Sequence, residues 1–230
     1  MSVYALVAAS DFAREHFAEK AAEGFFDCVV AVDGGFVHVT EAGVVPDVVL
    51  GDFDSLGYTP QAACLVEHPT HKDASDLELA LEFAFGHGAS EIFAYGCLGG
   101  RVDHTLAALQ TLAAYAEKGM AVCAVGPAED RPGYGKGVAV SVLSGPARLC
   151  LEAPDGLAEE GAVSVHAACD RAIGVSEGNM EYPLCDSTLT NRTSLGLSNE
   201  LLGRPAWVQV AKGTLFVVHP AYLHARRAIL

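Results

Sequence analysis

Asp47-Val48-Val49-Leu50-Gly51-Asp52-Phe53-Asp54-Ser55 reads as a short apolar run whose end delivers two carboxylates, Asp52 and Asp54. A continuous apolar run bounded by turn formers is the pattern of a strand buried on both faces, as in a parallel sheet. In open α/β sheets, ligands bind just beyond the carboxyl ends of the strands. A pair of Asp at that place suits Mg²⁺, which takes a few carboxylates and leaves its other positions to water and phosphate oxygens. A polar loop that merely caps a strand is the plain structural alternative.

Working outward, the chain up to about Gly126 alternates short apolar runs with helix-period segments, the signature of a parallel sheet flanked by helices. The strand candidates are Val3–Ala9, Cys28–Val32, Val48–Leu50, Ile92–Tyr95 and Ala121–Val125. A helix is expected from an N-cap at Ser10 to Gly24, with Phe12, Phe17 and Ala21 on its apolar face. Ser75 and Glu78 form a capping box ahead of Leu77, Leu81 and Phe85. A further helix runs from about Val102 to Lys118 and stops at Gly119.

Beyond the Pro- and Gly-rich stretch Gly126–Gly137, which reads as a linker, the texture changes. Short alternating runs follow at Val138–Leu143, Arg148–Leu151, Val163–His166, Trp207–Val210 and Thr214–Val218, and no helical period exceeds two turns. The expectation is an α/β domain over 1–130 and a compact antiparallel β-sandwich or barrel over 131–230.

The balance of 14 Lys plus Arg against 29 Asp plus Glu gives a net charge of −15, which argues against a nucleic-acid binder. The apolar start, Met1–Ala9, is too short to span a bilayer and has no basic residue ahead of it, so neither a membrane span nor a signal peptide is expected. Seven cysteines without C-x-x-C spacing fit a reducing cytoplasm.

Three more loops repeat the pattern of the first. Asp33-Gly34-Gly35 follows the second strand, where glycines permit close approach to a ligand or simply turn the chain. Lys72-Asp73-Ala74-Ser75-Asp76 precedes and opens a helix, where Asp76 also suits the helix dipole. Gly96-Cys97-Leu98-Gly99-Gly100-Arg101-Val102-Asp103-His104 links a strand to a helix, and glycine N–H groups with Arg101 are expected to make an anion site. Neither a P-loop nor a G-x-G-x-x-G fingerprint occurs. Adjacent helical residues point apart, which speaks against Asp103-His104 as part of a Ser-His-Asp triad.

Together with Gly196-Leu197-Ser198-Asn199-Glu200, these motifs stand in the order and spacing of the thiamine pyrophosphokinase family, which the chain resembles over nearly its whole length. The resemblance implies transfer of the diphosphate of ATP to thiamine, giving thiamine diphosphate and AMP, with Mg²⁺ as cofactor, in a homodimer. Asp52, Asp54 and Asp76 match acidic positions that hold Mg²⁺ and phosphates. Arg101 and Asp103 match glycine-loop positions near the substrates, and Ser198 and Asn199 match the segment approaching thiamine. Asp33, Gly34, Lys72, Ser75, Gly99, Gly100 and His104 complete the expected substrate contacts. Two departures stand out: Ser75 replaces a frequent Thr and keeps its hydroxyl, and Ala108 replaces a frequent Asn.

Clustered aspartates with a few basic groups suit diphosphoryl transfer, which is mainly positioning and charge neutralisation. An acidic protein also attracts the thiazolium cation of thiamine, on which Tyr182 or Trp207 could stack, although an aromatic in an alternating run is more often part of the core. Two rival enzymes share parts of the pattern. A phosphohydrolase can use Asp-x-Asp as a nucleophile motif, normally after the first core strand, whereas two strands precede Asp52. The other, within the same fold, is a diphosphokinase acting on a pterin alcohol; the sandwich half argues for thiamine by resemblance.

Overall fold

The apolar runs of the first half pair side by side, because buried backbone amides and carbonyls need partners. The computed structural model describes residues 2–53, 57–58, 60, 62, 64–68, 73–128 and 132–230. They divide into two compact units, Met1–Thr111 with Ala124–Pro127 and Leu112–Cys123 with Ala128–Leu230.

The first unit contains β1 (Val3–Val7), β2 (Cys28–Val32), β3 (Val48–Gly51), β4 (Leu65–Glu67) and β5 (Glu91–Tyr95). Their order is β5-β1-β2-β3-β4, with every pairing parallel. The order reverses at β1: the chain moves outward through β2, β3 and β4, then returns to β5 on the other side. Such a switch point leaves a crevice at the carboxyl ends of the strands.

Helices α1 (Arg14–Ala22), α2 (Gly35–Glu41), α3 (Asp76–Gly86) and the start of α4 (Val102–Glu117) connect these strands. Buried Phe17 anchors α1, with ring centroids 5.4 Å from Phe12, 5.8 Å from Phe26 and 5.3 Å from Tyr95. Ser75 caps α3 as expected, its Oγ accepting from the Glu78 amide at 3.2 Å.

Ser10 does not cap α1. The helix starts four residues later, behind Ala13, and the Ser10 hydroxyl is engaged elsewhere. Helix α2 was not expected, since it lies in the Asp-Gly-Gly turn region that punctuates the sequence.

The second unit is a sandwich of antiparallel pairings. One sheet joins β12 (Asn199–Glu200), β9 (Ala162–Ala167), β14 (Thr214–Pro220) and β7 (Val138–Ser144). The other runs β11 (Ser187–Leu189), β10 (Ala172–Gly178), β13 (Ala206–Val210), β8 (Ala147–Glu152) and β15 (His224–Ile229). Leu143, Leu149, Leu151, Val165, Val208 and Val217 fill the space between the sheets.

Strand β10 escaped the sequence pattern because a register shift between Ala172 and Val175 breaks alternation and leaves Ile173 exposed. Edge strand β15, His-Ala-Arg-Arg-Ala-Ile, is too polar to read as a core strand. The expected boundary near 130 compares with a start of the main part of this unit at Ala128. Leu112–Cys123 also joins this unit, tied by the Thr214 hydroxyl donating to Glu117 at 2.7 Å and by Arg227 donating to the carbonyls of Gly119 and Met120. No helix among the described residues is long and apolar enough to cross a membrane.

One buried polar group gives this unit a pH dependence. His219 on β14 is 1% exposed; its Nδ1–H donates to the Pro220 carbonyl at 2.9 Å, and the Ser141 hydroxyl donates to Nε2 at 2.9 Å. Burial pushes its pKa down to about 4 from 6.5, against the opposing pull of the Pro220 carbonyl. Because the unfolded chain takes up this proton first, stability is full above about pH 6.5 and falls as pH drops toward about 4. Between pH 7.5 and 5 the loss should be about 2 kcal/mol. His219→Gln, which keeps an acceptor and a donor but does not titrate, should flatten that slope in urea unfolding. An unchanged slope would assign the acid sensitivity to other groups.

Candidate functional site

At the carboxyl end of β1, two loops come so close that side chains cannot intervene. A Cβ at Gly35 would sit 1.8 Å from the Val7 carbonyl oxygen, and one at Gly96 would sit 2.0 Å from that of Ala8. The backbones after β2 and β5 are thereby drawn onto the switch point, where acidic and glycine loops gather.

Asp33 follows β2 and Asp52 follows β3. The Asp33 amide donates to the Leu50 carbonyl at 2.7 Å, and a Cβ on Gly51 would lie 3.0 Å from the Asp33 Cβ, so these two loops are in contact. Asp33 (φ 47°) and Phe53 (φ 59°) both hold left-handed backbone, as does Ser198 (φ 56°) in the second unit. Such residues carry about 1–3 kcal/mol of strain each and cluster at functional sites. Gly34 leads into α2, and Asp76 stands in the first turn of α3 behind the Ser75 cap. Asp54 and Lys72 lie outside the described residues.

The glycine loop uses its own donors internally. The Gly99 amide donates to Thr105 Oγ1 at 3.2 Å, and the Gly100 amide donates to Asp11 Oδ2 at 3.1 Å. Both N–H groups expected for an anion are therefore occupied by the chain itself, which leaves Arg101 as the cationic group of this loop. Its guanidinium makes two bonds to Asp103, Nε to Oδ1 at 3.2 Å and Nη2 to Oδ2 at 2.6 Å. The bond from Arg101 holds the Asp103 carboxyl below the usual carboxylate range and raises the Arg101 pKa in turn. Both side chains are well exposed, so water screens the pair and the guanidinium is free to change partners. His104 is exposed beside them, its amide donating to Asp103 at 3.1 Å.

A shallow cavity of about 530 Å³ lies at this switch point, lined by Ser10, Asp11, Arg14, His38, Glu41 and Gly100 among others. Arg14 is paired with Glu41, and His38 stacks on Phe12 with ring centroids 4.8 Å apart. Sequence reading did not single out the pair Ser10 and Asp11, which line this cavity. The available signal was a polar pair directly after an apolar strand, the same pattern that singled out Asp33 and Asp52.

In the second unit, Ser198 is exposed, and its amide donates to Ser164 Oγ at 2.9 Å. Asn199 is 4% exposed and has its amide group fully used. Its Nδ2 donates to Glu177 Oε2 at 2.9 Å and to the Tyr182 carbonyl at 3.0 Å, while Oδ1 accepts from the amides of Tyr182 and Glu200. Asn199 thus clamps the turn that carries Tyr182, a side chain 69% exposed. Burial raises the Glu177 pKa, opposed by bonds from the Leu184 amide and Asn199. Trp207 lies in a strand instead, with the Arg148 guanidinium 4.4 Å from its ring centroid.

Residues 25–124 match the family model described as thiamin pyrophosphokinase, catalytic domain. A curated relative, thiamine pyrophosphokinase of Bacillus subtilis (strain 168), is 36% identical over 89 residues; the match spans 36% of this chain and 42% of that protein, less than half its length. Three solved structures share the fold. The Bacillus subtilis thiamine pyrophosphokinase superposes with a TM-score of 0.73 at 22% identity, covering 95% of this chain and 99% of that one. The Geobacillus thermodenitrificans thiamin pyrophosphokinase gives 0.72 at 22% identity, covering 95% and 97%. The yeast thiamin pyrophosphokinase gives 0.72 at 13% identity, covering 95% and 86%.

The Asn199 clamp predicts a large stability effect from a small change. Asn199→Ala removes all four bonds and leaves the buried Glu177 carboxylate with one donor fewer, so unfolding in urea should show a loss of about 3 kcal/mol. A loss below about 1 kcal/mol would mean that water replaces the amide at little cost.

Proposed function

We propose that the chain belongs to the thiamine pyrophosphokinase family and that it transfers the diphosphate of ATP to the hydroxyl of thiamine, giving thiamine diphosphate and AMP. The observation that carries this reading is the placement of Asp33, Asp52 and the Gly96–Asp103 loop at the carboxyl ends of β2, β3 and β5. All three lie within the segment that matches the catalytic-domain model.

In the proposed reaction the thiamine hydroxyl oxygen attacks the β-phosphorus of ATP. The bond from that phosphorus to the oxygen bridging the α-phosphate breaks, AMP departs, and the hydroxyl proton is released. Little of this is covalent chemistry by the protein; the reactants must be held in line and the phosphate charge offset. Asp52, Asp54 and Asp76 offer carboxylate oxygens alone, the donor type Mg²⁺ prefers, and are read as the residues that would hold it. When bound, Mg²⁺ neutralises phosphate oxygens. Asp103 keeps the guanidinium near the loop until Arg101 exchanges that screened contact for a forked one with phosphate.

Gly34, Lys72, Ser75 and His104 are read as further substrate contacts. Ser198 is read as facing thiamine, and Asn199 as holding the turn on which Tyr182 is available to stack on the cation. Thiols at the seven described cysteines fit the reducing cytoplasm proposed for the chain. The homodimer is proposed from the family resemblance, and light scattering should then report twice the 24.0 kDa chain mass.

Incubation with thiamine, ATP and Mg²⁺ followed by mass analysis should show thiamine diphosphate and AMP in equal amounts. Inorganic phosphate alone, or no new product, would overturn the reading. Asp54→Asn removes a charged ligand at constant size, so turnover should fall by orders of magnitude in a protein that still unfolds at the wild-type urea midpoint. Arg101→Lys keeps the charge but loses the fork, and should raise the KM for ATP while that for thiamine stays near wild type. Equal losses for both substrates would remove Arg101 from the phosphates.

A further inference from the structure

Ser10 and Asp11 stand in the loop after β1, 89 residues from the glycine loop they touch. Ser10 Oγ donates to the Gly99 carbonyl at 2.8 Å, the Ser10 amide donates to the Gly96 carbonyl at 2.8 Å, and the Gly100 amide donates to Asp11 Oδ2 at 3.1 Å. The two loops also fit each other sterically. A Cβ on Gly99 would fall 2.2 Å from Asp11 Oδ2, and one on Gly100 would fall 2.7 Å from Ser10 Oγ. Both glycines are left-handed, at φ 90° and 60°, so this stretch has wide conformational freedom until something fixes it.

We infer that Asp11, with Ser10, is a positioning element that fixes the glycine loop and thereby sets Arg101 for the polyphosphate of ATP; this rests on the reading given under Proposed function. Asp11 is not itself a phosphate contact. An ionised carboxylate only accepts hydrogen bonds and would repel the phosphates. What it supplies is a charge-assisted bond to the Gly100 amide, immediately before Arg101, at the lip of the cavity. Thr105 completes the fixation from the helix side, its hydroxyl meeting both the amide and the carbonyl of Gly99.

The test compares Asp11→Ala with Asp11→Asn in the full chain. Asp11→Ala loses the acceptor, so the KM for ATP should rise roughly tenfold, as expected for one charge-assisted bond, while the KM for thiamine stays within about twofold. Asp11→Asn retains an acceptor oxygen and should recover most of the ATP affinity. Amide exchange at Gly100 supplies a readout that does not depend on turnover: it should quicken in Asp11→Ala and stay near wild type in Asp11→Asn. The inference is overturned if Asp11→Ala leaves both the KM for ATP and the exchange rate unchanged, or if it tightens ATP binding. It also fails if Asp11→Asn is as impaired as Asp11→Ala. A wild-type protein that makes no thiamine diphosphate would instead defeat the functional reading, and the exchange measurement would still decide whether Asp11 fixes the loop.

Discussion

The close approach of two backbones to the end of β1 is the constraint on which the first unit depends. Gly35 and Gly96 meet the carbonyls of Val7 and Ala8 at distances no side chain tolerates, so the loops after β2 and β5 are held against the point where strand order reverses. Replacing either hydrogen by a methyl group would push its loop away and open the crevice. The position of Asp33 beside Gly51, and of the glycine loop beside Ser10 and Asp11, follows from that contact.

Electrostatics then separates the roles of the charged groups. The chain carries a net charge of −15, and its carboxylates at the strand ends would repel a bare polyphosphate. On the proposed function a divalent cation would remove that conflict, since carboxylate oxygens are the donors such a cation prefers. On the same proposal Arg101 is the complementary device. Its pairing with Asp103 is exposed and therefore exchangeable, whereas a buried pair would hold the guanidinium too firmly to yield it to a ligand.

The second unit is organised by burial of polar groups rather than by display of them. Asn199 satisfies its amide completely inside the fold, binding Glu177, the Glu200 amide and both the backbone N–H and the carbonyl of Tyr182. Its neighbour Ser198 is left exposed in a left-handed conformation. One residue of the Ser198-Asn199 motif thus fixes the turn while the other stays exposed. A buried amide of this kind fixes a single arrangement because any other would leave hydrogen-bonding groups unpaired at high cost.

The sequence by itself determined the element pattern: buried strands from Val3, Cys28 and Val48, the Ser75 cap, the change to short alternating strands after the Gly126–Gly137 stretch, and the acidic and glycine loops that follow the strands. These are local signals, set by side-chain periodicity and backbone preference over a few residues. What failed locally did so for local reasons, as with the bulge that disguised β10 and the polar edge strand β15. Only the tertiary structure decided that Ser10 serves the glycine loop instead of capping α1, that Asp11 takes the Gly100 amide, and that Asn199 is turned inward onto Glu177. Those partners lie far apart in the chain. Strand order and packing alone bring them within hydrogen-bonding distance, and no pattern read along the sequence encodes which buried donor will meet which acceptor.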